Sequence, residues 1–150
     1  MIDLHCDTMM QLLDHPQSGD LYENAWKIDI KKLWAGHSKV QDFALYIDLG
    51  ETDYPYERYQ AMRQVFEKNM HTYGEHIRHI KSVQDLDASY ADGKLGALLS
   101  VEEGGVFEGS LERLDKAYEE GVRLITISWN YPNGLCEPHC GDPNTGLTEL

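Results

Sequence analysis

Apolar and polar positions along this chain follow two rhythms. Short, nearly continuous apolar runs recur, and each is followed by a stretch with helical spacing. Met1 to Cys6 reads as a first strand. It gives way at Asp7-Thr8 to a short helix, Met9 to Leu13, with Thr8 or Asp7 as its N-cap. His15 to Asp20 is loop by its Pro, Ser and Gly content. A short helix starts near Asp29 and stops at Gly36. Gln41 to Leu49 is the second strand, apolar through its middle, as suits a strand covered on both faces. A long helix follows from Pro55 to about Ile80. Pro favours its first turn, and Tyr59, Met62, Val65, Phe66 and Met70 keep helical spacing.

Asp85 to Asp92 is another short helix, stopped by Gly93. Leu95 to Val101 is the third strand, ended by Glu102-Glu103-Gly104-Gly105. Ser110 caps a helix with Leu111, Leu114 and Tyr118 on one face, closed by Gly121. Val122 to Trp129 is the fourth strand, and Asn130 to Asn144 a long loop. Gly146 to Leu150 opens a further helix, with Thr148 as its cap. Four strand–helix units of parallel type give an α/β fold with right-handed crossovers. They amount to half of a (β/α)8 barrel or to a small open sheet. The unfinished last element favours the half-barrel, so residues 1–150 are expected to be one truncated barrel domain, its N-terminal half.

Charge narrows the partners. Thirteen Lys and Arg stand against 26 Asp and Glu, a formal net charge of −13. That field repels phosphate backbones, no basic cluster offsets it, and nucleic acid is excluded as a partner. It would also retain divalent cations near a carboxylate-lined cleft. The longest apolar run, about Leu95 to Val101, falls far short of the roughly 18 residues a spanning helix needs, so no membrane is expected. Asp3, His5 and Asp7 interrupt the place where a signal peptide would be apolar. Three cysteines, Cys6, Cys136 and Cys140, make no disulfide framework, and a cytoplasmic location is expected.

Candidate chemistry collects at the strand ends, where barrels of this type carry their working residues. In the first strand His5 and Asp7 share a face, with Cα atoms roughly 6.5 Å apart, close enough to converge on one cation. The third strand ends in Glu102 and Glu103, and the fourth in Trp129 and Asn130. A carboxylate after an apolar run can bridge two cations. The spacing fits a solvated loop after the third strand equally well. Cys136, His139 and Cys140 lie close in sequence, but their spacing is not a standard zinc one. His71, His76 and His79 read as a solvated helix face, since no His-Glu-x-x-His occurs. Neither a Gly-rich phosphate loop nor a Gly-x-Ser-x-Gly elbow is present.

Four blocks occur in a telling order: residues 3–8, 100–105, 121–130 and 146–149. Asp3-Leu4-His5-Cys6-Asp7-Thr8, Ser100-Val101-Glu102-Glu103-Gly104-Gly105, the Gly121–Asn130 run and Gly146-Leu147-Thr148-Glu149 together resemble the membrane (renal-type) dipeptidase family of zinc peptidases. The likeness covers the N-terminal half of that family. It implies a (β/α)8 barrel holding two zinc ions. It implies His5 and Asp7 as ligands of one zinc, and Glu102 as the catalytic carboxylate bridging both. Glu102 is preferred to Glu103 because it directly follows the apolar strand and keeps the distance to Gly121 without a gap. A hydroxide between the zincs would attack the peptide bond of a dipeptide substrate. Where renal-type enzymes carry a substrate-binding His, this chain has Trp129, so Trp129 and Asn130 are expected at the substrate. The two His ligands of the second zinc belong to the family's later strands. A half-barrel alone is expected to be inactive, with exposed strand edges that favour a homo-oligomer. Another metal-dependent amidohydrolase activity is the remaining alternative.

Overall fold

The computed structural model describes residues 1–138, 141 and 146–148. In chain order the elements are β1 (Ile2–Asp3), α1 (Thr8–Asp14), α2 (Ile30–Ala35), β2 (Val40–Tyr46), α3 (Pro55–Thr72), β3 (Ile77–His79), α4 (Val83–Ala91), β4 (Leu95–Glu102), α5 (Leu111–Glu120) and β5 (Val122–Thr126). The strands form one parallel sheet in the order β1-β2-β4, and β3 and β5 both pair with β4. β2 takes one edge of β4 from Gly96 to Glu102. On the other edge β3 occupies Leu95 to Ala97, and β5 occupies Leu99 to Glu102.

The sheet is parallel because its strands are apolar on both faces and helices separate them. Val40 to Leu45 is buried throughout. Phe43 meets Phe66 of α3 with ring centroids 5.9 Å apart. Tyr59, Met62 and Phe66, spaced three and four apart on α3, have no exposed surface and lay that helix on the sheet. Each such side chain contributes about 1.5–3 kcal/mol. Tyr59 donates to Glu120 at 3.2 Å and Arg63 reaches the same carboxylate at 3.1 Å, which ties α3 to α5.

Among the described residues, five strands stand where the sequence spacing predicts four. The stretch from Pro55 to Ile80 is not one helix. α3 stops at Thr72, a turn follows, and Ile77–His79 returns as β3. The lower edge of β4 dictates this: Leu95 N–H donates to His76 and Ile80 N–H to Ala97. Satisfying those strand groups outweighs the helical preference of a polar stretch. His79 therefore sits on a strand, against the ring of Phe66 and the carbonyl of Gly121, not on a solvated helix face. β1 is shorter than expected because the Asp3 carboxylate takes the N–H of His5 at 3.2 Å and bends the backbone out of the ladder. β5 ends at Thr126, opposite Glu102, so Trp129 and Asn130 lie in the turn beyond it.

The remaining boundaries follow their caps. Asp29 accepts from Lys32 N–H, Ser82 from Asp85 N–H and Ser110 from Arg113 N–H. Gly121 closes α5 at φ +107°, where a Cβ would also strike the His79 ring at 2.3 Å. Gly146–Thr148 does not open a helix. Leu147 bridges Cys136 in antiparallel fashion, and Thr148 N–H donates to Leu135. His139, Cys140, Glu149 and Leu150 lie outside the described residues, as do positions 142–145.

Candidate metal centre

Two strand exits build the site. Beyond β1 the chain carries His5 and then Asp7, which stands at the N-cap position of α1 without a side-chain capping bond. Its carboxylate turns instead to His5, Oδ1 to Nε2 at 3.4 Å. Glu102, the last residue of β4, brings Oε2 to 3.2 Å from the same nitrogen. One ligand atom from each of His5, Asp7 and Glu102 lies within 4.8 Å of the others. A tetrahedral ion with bonds of about 2.0–2.1 Å needs ligand atoms about 3.3 Å apart. The two measured separations match that edge, and an imidazole with two carboxylates is a donor set such an ion takes.

The electrostatics differ among the carboxylates. Burial pushes the Glu102 carboxyl above the usual range, and the charges of Asp7 and Asp42 add to this while His5 opposes it. Asp42, almost fully buried on β2, is raised by burial too, although Ser100 donates to it at 2.6 Å. Its other oxygen has no partner among the described residues. Tyr46 is the register neighbour of Glu102. Burial and a 3.1 Å bond to Asp48 push its hydroxyl up to about 12. Tyr46 also lines a hollow of about 430 Å³ with Met10, Asp48, Glu51, Thr52 and Arg58. That volume lies within the range of small-molecule sites.

Glu103 has a different place. Its side chain is 1% exposed and its backbone has φ 122°, ψ 91°. A non-glycine residue there costs on the order of 1–3 kcal/mol. It accepts from Gly105 N–H at 2.9 Å, Trp129 N–H at 3.1 Å and Asn133 Nδ2 at 2.5 Å. The structure thus sets Glu102 toward His5 and turns Glu103 away into the loop after β5. Trp129 is half-exposed, and Asn130 is exposed next to it. The apolar run continues to Leu49 and so hides Tyr46 in the sequence, whereas β2 ends at Tyr46. That strand end puts a hydroxyl on the same rim as Glu102.

The sequence profile of the membrane dipeptidase family, peptidase family M19, matches residues 1–149. The chain belongs to the membrane dipeptidase family. One curated relative, an uncharacterized protein in the PQQ-III 3′ region of Acinetobacter calcoaceticus, is 35% identical over 82 residues, which is 51% of this chain and 26% of that protein. Among solved structures, the M19 metallo peptidase called dipeptidase AC superposes with TM-score 0.77 at 19% identity, covering 99% of this chain and 50% of the other. A metallo peptidase from Rhodobacter sphaeroides, liganded with a phosphinate mimic of the dipeptide L-Ala-D-Ala, gives 0.78 at 16%, covering 99% and 52%. The probable dipeptidase PvdM from Pseudomonas aeruginosa gives 0.74 at 15%, covering 91% and 35%.

This membrane dipeptidase family chain spans about half the length of the first two structures. Its parallel sheet matches half of their TIM-type barrel. The family is one of hydrolases acting on peptides, and its metallopeptidase members suggest a metal cofactor. Among the described residues no helix is long and apolar enough to cross a membrane.

Proposed function

We propose that the protein is a zinc-dependent dipeptidase, hydrolysing the single peptide bond of a dipeptide, with two zinc ions in the complete site. The observation that carries this reading is the convergence of His5, Asp7 and Glu102 within 4.8 Å. His5 offers the Nε2 lone pair and Asp7 one oxygen to the first ion. Glu102, with two oxygens, would hold one toward each ion. A cation and a proton compete for its carboxylate, so affinity falls with falling pH. When bound, zinc supplies a Lewis acid for the scissile carbonyl and acidifies water enough to serve as nucleophile at neutral pH. Trp129, Asn130 and Tyr46 then border the substrate on the β5 and β2 sides.

The other ligands of the second ion would come from the rest of the family's length, so residues 1–150 alone are proposed to be a fragment without turnover. Free thiols at Cys6 and Cys136 fit a reducing cytoplasm. The test is a substrate panel on the full-length enzyme. Unblocked dipeptides should be cut, with activity lost on chelation and restored by zinc. Hydrolysis indifferent to chelation, or confined to cyclic amides or esters, would replace this reading with another amidohydrolase activity.

A further inference from the structure

The residue after Glu102 holds a backbone conformation that glycine would adopt freely, yet it is a glutamate with a buried side chain. Its bond to Gly105 is local and would be available in many turns. The other two reach 26 and 30 residues along the chain, to Trp129 N–H and Asn133 Nδ2. Asn133 passes the connection on. It donates to Ile127 O at 2.9 Å and accepts from Leu135 N–H and Cys136 N–H at 2.7 and 3.1 Å. The loop after β5 is therefore folded around one carboxylate. Trp129 in turn follows β5, whose last residue, Thr126, stands in register with Glu102. Gly105 lets the loop approach, because a Cβ there would lie 2.9 Å from Asn133 Cβ.

We propose that Glu103 is a positioning residue for substrate: its carboxylate fixes the backbone of Trp129 just beyond the β5 end that pairs with Glu102, and so sets the substrate-facing wall on the β5 side. It touches neither substrate nor metal, and it acts through Trp129. The inference rests on the dipeptidase reading above. It also accounts for a strained backbone at the exit of β4, since a residue turned this way aims its side chain at the β5 loop while its predecessor faces His5.

Glu103→Gln in the full-length enzyme tests it. The Gln oxygen can keep Gly105 and Asn133, but its amide then meets Trp129 N–H donor to donor, so Trp129 is selectively released. KM for a dipeptide should rise at least about five-fold while kcat stays within about two-fold. Zinc content should equal the wild type. Loss of a hydrogen bond to a charged acceptor should also speed exchange of the Trp129 amide at least about ten-fold by NMR. Trp129→Phe keeps the backbone amide and removes the indole donor. It should raise KM as well, and the double variant should be no worse than Trp129→Phe alone. Wild-type KM together with wild-type Trp129 exchange in Glu103→Gln would overturn the proposal, as would loss of kcat and zinc at constant KM. If Glu103→Gln does not fold, an unchanged KM in Trp129→Phe overturns it. If the wild type cuts no dipeptide, the functional reading fails by itself, and Trp129 amide exchange still decides the role of Glu103.

Discussion

Glu102 and Glu103 are chemically identical neighbours with different surroundings. One is directed at an imidazole 3.2 Å away, the other at three N–H donors. His79 shows the same dependence on place. Burial, with the charges of Lys81 and Arg123, pushes its pKa down to about 4 from 6.5. The unfolded chain therefore binds a proton that the folded one refuses between those values, and stability drops as pH falls through that window. The urea midpoint of wild type should decline from pH 6.5 to pH 4 more steeply than that of His79→Gln, which keeps a donor for Gly121 O and does not titrate. Parallel declines would show that His79 does not carry the effect. Asp42 has the opposite sign: its raised pKa means stability present at low pH is lost as pH rises through the folded value. At this scale His5, Asp7 and Glu102 could be named as candidates from the strand-end pattern and the family resemblance, and the fold brings a ligand atom of each within 4.8 Å of the others, with His5 and Asp7 beyond β1 and not on it. The work of Glu103 was not legible, since its partners lie far along the chain and only the fold brings them near.

Elements with side-chain caps and clear spacing, such as α5 between Ser110 and Gly121, could be read directly. β3 could not. Three residues, Ile77-Arg78-His79, carry no strand pattern of their own, and what makes them a strand is the free lower edge of β4. The layer of α3 on β2 depends on Phe66, which is fully buried against Phe43 and His79. Phe66→Ala should cost about 3–5 kcal/mol in chemical denaturation. A loss below about 1 kcal/mol would mean that this layer does not hold the sheet. Gly121→Ala combines a left-handed φ with a clash against His79, so it should destabilise by more than about 1 kcal/mol. An unchanged midpoint would contradict the tight approach of α5 and β3.

On the scale of the molecule, the parallel sheet and the half-barrel architecture were legible because apolar strands alternate with helices. What the proposed second ion would need was not, because His5, Asp7 and Glu102 are the one group of three or more potential ligands among the described residues. Among the described residues β5 pairs only with β4, and Leu124, Ile127 and Trp129 near it are exposed. Residues 1–150 expressed alone should self-associate with concentration in sedimentation, and Leu124→Lys should shift them toward monomer. A monomer at all concentrations would show that this edge is protected. The central claim is that Glu102, with His5 and Asp7, holds the metal. Zinc stoichiometry measured together with dipeptide turnover for full-length Glu102→Ala tests it most directly. The account predicts loss of the two-zinc centre and of hydrolysis. Two zincs and wild-type turnover in that variant would contradict it.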